Sequence, residues 1–421
     1  MLKDLRVIEV AQLAPSSVGG HLADLGAEVI KVESGPVGDG VRVGGFQAVG
    51  GPDGPAFMHL RWNRGKKSIC LDLRTDVGRA AFLDLAKEAD VVIEGLRSGY
   101  LEWLGIGPEV LAEVNPKLVF CGISGYGAGG PYSSLGSGGP VFDGYAGLRD
   151  VELPDDAPTR GMAGGTAPTI GMYAMGAYGA MAVLAAVHEA RNTGRGRSVE
   201  VSGVDVTASW IPDQIDATLN VGRTVQRPGW LPDGRLPDWP RLEAYRTKDG
   251  GAILFVAHVE KFWRTFCRAV GREELADVDL MTIDEGTVER GEYVWSQLRE
   301  IFATRTRAEW MEIFQQHDIA GGPVNTVADL IVDPHFTARR NTYRSTVRGV
   351  DLDLMVSPVR AAGEEFAPAP APELGADTRD VLATIAGYDE TAIQAADATP
   401  ASTQVGTDAD RTSNNPVKEH A

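Results

Sequence analysis

Arg61, Arg64, Lys66 and Lys67 place four cations within seven positions of a chain whose formal net charge is −18. Salt screens charge beyond roughly 8–10 Å, so a local basic knot keeps its own field on an acidic protein. A specific anionic ligand suits such a knot. Phosphate is the natural candidate, because arginine grips it as a fork and lysine meets it as a point charge. A solvated basic turn would explain the same charges. The acidic balance argues against nucleic acid and anionic membrane as partners.

Other chemistry-bearing patterns are weaker. Gly125-Tyr126-Gly127-Ala128-Gly129-Gly130 fits G-x-G-x-x-G. The dinucleotide fingerprint needs a helix to begin there. Pro131-Tyr132-Ser133-Ser134 follows instead, so no nicotinamide or flavin is expected. The seven histidines show no metal-ligand spacing, and no metal site is expected. There is no G-x-S-x-G elbow. Cys70, Cys121 and Cys267 are odd in number and widely spaced, which fits a reducing cytoplasm. Asp143 and Asp150 read as solvated or capping residues, and Trp263 and Trp310 as core.

These residues must be positioned by regular elements. Strand patterns at Val7–Val10, Glu28–Glu33, Ser68–Leu73, Asp90–Glu94 and Lys117–Cys121 alternate with helical ones. That alternation predicts βαβ units and a parallel, doubly wound α/β sheet. Ligands of such sheets sit beyond the carboxyl ends of the strands. The basic knot precedes a strand, so it must fold back to reach such a site. Gly122–Gly147 reads as loop. Ile170–Val187 carries no charge but is crowded with glycine and alanine, which suits a buried helix better than a membrane span. Arg227–Pro240 reads as a linker or active-site loop. A hairpin at Tyr245–Val256 and helices at Val259–Ala269, Val288–Phe302 and Arg307–Gln316 form a second unit. The tail lacks hydrophobic periodicity and is expected to be disordered. The expected divisions are 1–225, 226–330, 331–398 and a tail at 399–421.

The chain resembles the class III CoA-transferases, a family that includes formyl-CoA transferase, carnitine CoA-transferase and α-methylacyl-CoA racemase. The matching signatures run in order along the chain. They include Leu25-Gly26-Ala27-Glu28-Val29-Ile30-Lys31-Val32-Glu33, Asn63-Arg64-Gly65-Lys66-Lys67-Ser68, Ile123-Ser124-Gly125-Tyr126-Gly127, Thr193-Gly194-Arg195-Gly196 and Gly322-Pro323-Val324-Asn325. The resemblance implies a Rossmann-like large domain built from both chain ends, an inserted smaller α/β domain, and two interlocked subunits. It implies coenzyme A thioester as substrate, with no permanently bound cofactor. CoA contacts would fall on Ala14, Asn63, Arg64, Lys66, Lys67, Arg97, Ser124, Gly125 and Tyr126. The family's transferases use one aspartate, whose carboxylate attacks the thioester and forms a mixed anhydride.

Counting twenty-one residues back from Thr193, where that aspartate belongs, reaches Met172. A thioether is neither ionisable nor an acyl carrier. No acid lies between Asp156 and Glu189, so a small register error does not restore the nucleophile. Ser34 stands where an arginine is common, Gly95-Leu96 where the family has Asn-Phe, and Trp103 where an arginine often lies. Gly138-Gly139 replaces the His-Asp pair of a racemase. The resemblance therefore implies the subunit without the nucleophile in a heteromeric CoA-transferase, paired with an aspartate-bearing paralogue. A homo-oligomeric acyl-CoA enzyme with a relocated nucleophile, and a non-catalytic CoA-thioester-binding protein, are the alternatives.

Overall fold

The computed structural model describes residues 1–49, 54–148, 169–223, 239–280, 282 and 284–399. Asp150, most of the Arg227–Pro240 segment and nearly all of the 399–421 tail lie outside the described residues. The chain divides into two compact units, Met1–Asp216 with Thr342–Ala421, and Ala217–Asn341. The inserted unit is thus longer at both ends than the 226–330 read from composition.

Six parallel strands form the sheet of the first unit. They are β1 (Arg6–Ala11), β2 (Glu28–Glu33), β3 (Lys67–Cys70), β4 (Val91–Gly95), β5 (Val119–Ser124) and β6 (Ser198–Ser202), in the order β3-β2-β1-β4-β5-β6. Val7 pairs with Val29 on one side and Val91 on the other. The order reverses between β1 and β4. Valine and isoleucine dominate because helices cover both faces, and branched side chains pack well on a pleated, buried surface. Val7, Val29, Val91 and Ile93 face one core, while Ile8, Ile30, Val32 and Val92 face the other. β3 stops at Cys70, short of the expected Leu73.

The long helix Ile170–Thr193 lies in the first of these cores. It is long and apolar enough to cross a membrane, yet its glycines serve close packing. A Cβ on Gly176 would sit 2.3 Å from Ser17 Oγ, and one on Gly179 2.5 Å from Val18 Cγ2. Glycine therefore lets this helix approach the helix Ser16–Asp24.

The returning C-terminal segment is stitched to β3. Ser68 N donates to Asp377 Oδ2 at 2.8 Å, and Cys70 N to Thr378 Oγ1 at 3.0 Å. Several short helices were not legible in the sequence: Gly139–Tyr145, Phe57–Asn63, Tyr100–Trp103, Val327–Val332, Pro334–Ala338 and Glu390–Ala396. The first corrects the expectation of loop throughout Gly122–Gly147. Its glycine-rich, proline-started sequence has little intrinsic helix preference, and burial of Phe142 and Asp143 holds it.

The inserted unit has a three-stranded antiparallel sheet, β7 (Leu242–Arg246), β8 (Ala252–Val256) and β9 (Gly321–Pro323). Its core is aromatic, with Phe255, Trp263, Phe266, Phe302, Trp310 and Phe314 in mutual contact. Thr306 and Glu309 form a capping box on the helix Arg307–His317. The last strands, β10 (Thr342–Val347) and β11 (Val350–Met355), form a hairpin in the first unit.

Candidate functional site

A cleft of ≈ 520 Å³ opens at the carboxyl ends of β1, β4 and β5, beside the point where the strand order reverses. Doubly wound sheets bind ligands at this place. Gln12 to Pro15 follow β1, Gly95 to Ser98 end β4, and Ser124 to Tyr126 end β5. Met58 and Trp62 come from the helix Phe57–Asn63, Phe142 from Gly139–Tyr145, and Met172 and Met175 from the long helix.

Each turn is fixed locally. Leu13 has φ of 56°, and its N–H donates to Asp39 Oδ1 at 2.8 Å. This left-handed conformation costs energy for leucine, so the buried acceptor stabilises a strained wall. A Cβ on Gly95 would lie 2.3 Å from the Pro15 Cβ. A side chain at position 95 does not fit this backbone, because Pro15 and Ala11 fill its space. Ser124 Oγ accepts from Gly127 N at 3.0 Å and closes the turn after β5. Tyr126 packs against Tyr132 and Tyr145, with centroids 5.7 and 5.6 Å away.

Met172 is half-buried on the cleft wall, its Sδ 3.7 Å from Thr169 Oγ1. Among the described residues no carboxylate lines the cleft, and Arg97 is the one charged side chain that does. Asp143 lies behind the wall with no exposed surface. Its Oδ1 accepts from Gly171 N at 2.8 Å and its Oδ2 from Ile170 N at 3.1 Å. It therefore caps the long helix, satisfying N–H groups that have no intrahelical acceptor. The capping reading of Asp143 holds, while solvation does not.

Five of the nine expected CoA contacts, Ala14, Arg97, Ser124, Gly125 and Tyr126, meet in this cleft. Arg64, Lys66 and Lys67 of the basic knot do not line this cleft, and each is paired with a carboxylate instead of being presented free. Arg64 is buried and forks onto Asp24, with both nitrogen–oxygen distances 2.7 Å. Lys66 is buried with its Nζ 2.8 and 2.9 Å from the Glu9 carboxylate, 2.7 Å from Ser16 O and 3.0 Å from Asn63 Oδ1. Asn63 is likewise buried, with its Nδ2 3.0 Å from His59 Nδ1. Lys67 is half-buried at the amino end of β3, where it pairs with Glu28 at 3.0 Å. That is the opposite end of the sheet from the cleft.

A charge network lies beneath the β1 turn. Lys31 Nζ meets Glu9 at 2.9 Å, Asp39 at 3.0 Å and Ser16 Oγ at 2.8 Å. Arg42 forks onto Glu33 at 2.9 and 2.6 Å. Burial favours the neutral form of Lys66 and pushes its pKa down to about 8. Burial opposes ionisation of Glu33, but Arg42 and Lys31 overcome it and bring that carboxyl down to about 2. Burial, then the Arg42 charge, push His59 down to about 3.

The inserted unit holds a second cavity, of ≈ 860 Å³. Arg307 there is already engaged by Asp329 at 3.5 Å and Asp249 at 3.9 Å.

The apolar wall was missed in the sequence, although two signals were present. Met58 and Trp62 are four apart and Met172 and Met175 three apart, spacings that share a helix face.

Fold and cleft together define an α/β protein with an open cleft at the strand-order reversal of a parallel sheet. The chain belongs to CoA-transferase family III, whose profile matches residues 2–378. It is a CoA-transferase, with an acyl-CoA and a carboxylic acid as substrates. The succinate–glutarate CoA-transferase of Agrobacterium fabrum is 30% identical over 407 residues, 93% of this chain and 97% of its own. The alpha subunit of succinyl-CoA–L-malate CoA-transferase from Chloroflexus aurantiacus is 30% identical over 81% of this chain and 78% of its own. A CaiB/BaiF family protein from Brucella suis superposes with a TM-score of 0.69 at 27% identity, covering 90% of this chain and 98% of its own.

Proposed function

We propose that this chain is the subunit without the nucleophile in a hetero-oligomeric CoA-transferase, and that an aspartate-bearing paralogue carries the acyl group. One observation carries the reading. Met172 occupies the cleft wall at the start of the long helix, and no described carboxylate lines that cleft. Anhydride formation needs an oxygen nucleophile whose attack forms a C–O bond as the C–S bond breaks. No described cleft residue supplies a carboxylate for that step. The role of this chain is then to hold a CoA thioester and complete the assembly.

Two further features support an assembly. A relative of similar length is named an alpha subunit. In the inserted unit, Val327, Ile331 and Val332 are 78, 60 and 73% exposed, an apolar surface suited to a second, interlocking chain. Three buried free thiols suit a cytoplasmic setting.

The test compares the chain purified alone with the chain co-purified with a paralogue that has aspartate at the position of Met172. CoA exchange is assayed with succinyl-CoA and hexanoyl-CoA as donors and a panel of carboxylic acids as acceptors. Exchange is expected only from the pair. Strong turnover by the lone chain would place a relocated nucleophile in this chain. Thioester binding with no exchange from either preparation would leave a non-catalytic binding protein.

A further inference from the structure

We infer that the acyl group received by this cleft is apolar and has no second carboxylate. The inference rests on the cleft holding a CoA thioester, as proposed above. Several relatives are named for dicarboxylates: succinate, glutarate and malate. Each such acid, once joined to CoA, keeps one free carboxylate that is ionised at neutral pH. A pocket that accepts it must offer a cation or several N–H donors, because an unpaired buried charge is strongly disfavoured.

The lining of this cleft is mainly apolar, and among the described residues its polar side chains include Arg97, Gln12, Ser98, Ser124, Ser133 and Ser137. Trp62, Phe142 and Met175 are 4, 3 and 1% exposed and belong to the apolar core on one face of the sheet. Met58 and Met172 pack against the same core and complete the wall. Arg97, the cation of the cleft, is exposed at the end of β4, and Leu96 beside it packs against the core of the other face. Arg97 is exposed to solvent, whereas Trp62, Phe142 and Met175 are buried. Lys31 and Lys66 lie behind the β1 turn and are saturated by Glu9 and Asp39. A succinyl tail beside Met172 would meet thioethers and aromatic rings. An aliphatic or aromatic chain would bury its surface there, and thioethers adapt to varied shapes. The cleft volume of ≈ 520 Å³ is within the range of small-molecule pockets.

The test is calorimetric titration of the full chain with free CoA and with acetyl-, butyryl-, hexanoyl- and succinyl-CoA. Affinity is expected to rise about fourfold for each methylene that the wall covers. Hexanoyl-CoA is expected to bind at least about tenfold more tightly than succinyl-CoA. Met172→Lys, at a half-buried position that tolerates a long side chain, is expected to reverse that order. Succinyl-CoA binding as tightly as hexanoyl-CoA overturns the inference. So does equal binding of all four thioesters, which would leave the CoA site itself standing. If free CoA and every thioester fail to bind, the CoA-binding reading falls and takes the inference with it.

Discussion

Lys66 has its Nζ within 3.0 Å of Glu9, Ser16 O and Asn63, and its side chain has no exposed surface. Breaking a buried pair leaves the other charge uncompensated and costs about 3–5 kcal/mol. Lys66→Met is expected to lower stability to urea by that order while leaving the CoA affinity of the folded fraction within about twofold. A variant of native stability whose CoA affinity falls, with a shallower salt dependence, would instead make Lys66 a phosphate ligand. The sequence displays the knot but hides its partners, because Glu9 is 57 positions away from Lys66 and Asp24 is 40 from Arg64. Charge spacing reports what a segment carries. Whether those charges face ligand or carboxylate is decided by long-range packing.

The long helix, by contrast, was legible as a buried element, because its glycines and alanines leave no doubt about close backbone approach. Gly179 lies against Val18, where an added Cβ would come within 2.5 Å of Cγ2 and 3.2 Å of Cγ1. Gly179→Val is expected to cost about 1–3 kcal/mol by forcing the two helices apart. Met181, 58% exposed on the same helix, provides the comparison: Met181→Ala should stay within about 0.5 kcal/mol. Equal thermal midpoints for the two variants would remove the claimed contact. The strands were visible for a related reason, since runs such as Val91-Val92-Ile93 are buried on both faces. The helix Gly139–Tyr145 was not visible. Its stability comes from Phe142 in the core and from Asp143 bonded to Ile170 and Gly171, none of which is local.

At the scale of the molecule, the net charge of −18 describes the surface and conceals a balanced interior. Glu9, Glu33 and Asp39 face Lys31, Lys66 and Arg42 beneath the cleft, with His59 among them. This network holds the β1 turn through Asp39, which accepts from Leu13 N at 2.8 Å. His59 is held near 3, against 6.5 for an ordinary histidine. Between those values the unfolded chain binds a proton that the native state refuses. Stability therefore falls as pH drops below 6.5, by about 1.4 kcal/mol per pH unit for one proton. Glu33 is held near 2 against 4.5, so its carboxylate contributes stability that is lost progressively as pH falls below 4.5. The two effects have the same sign, and the slope should steepen below pH 4.5. Urea midpoints measured from pH 7.5 to 4 should show this two-stage decline. His59→Gln should reduce the stage above pH 4.5, to which His21, also lowered by burial, contributes with the same sign, and leave the lower one. A wild-type midpoint constant between pH 6.5 and 5 would mean that His59 takes up its proton in the native state, and that the network under the cleft is open to water.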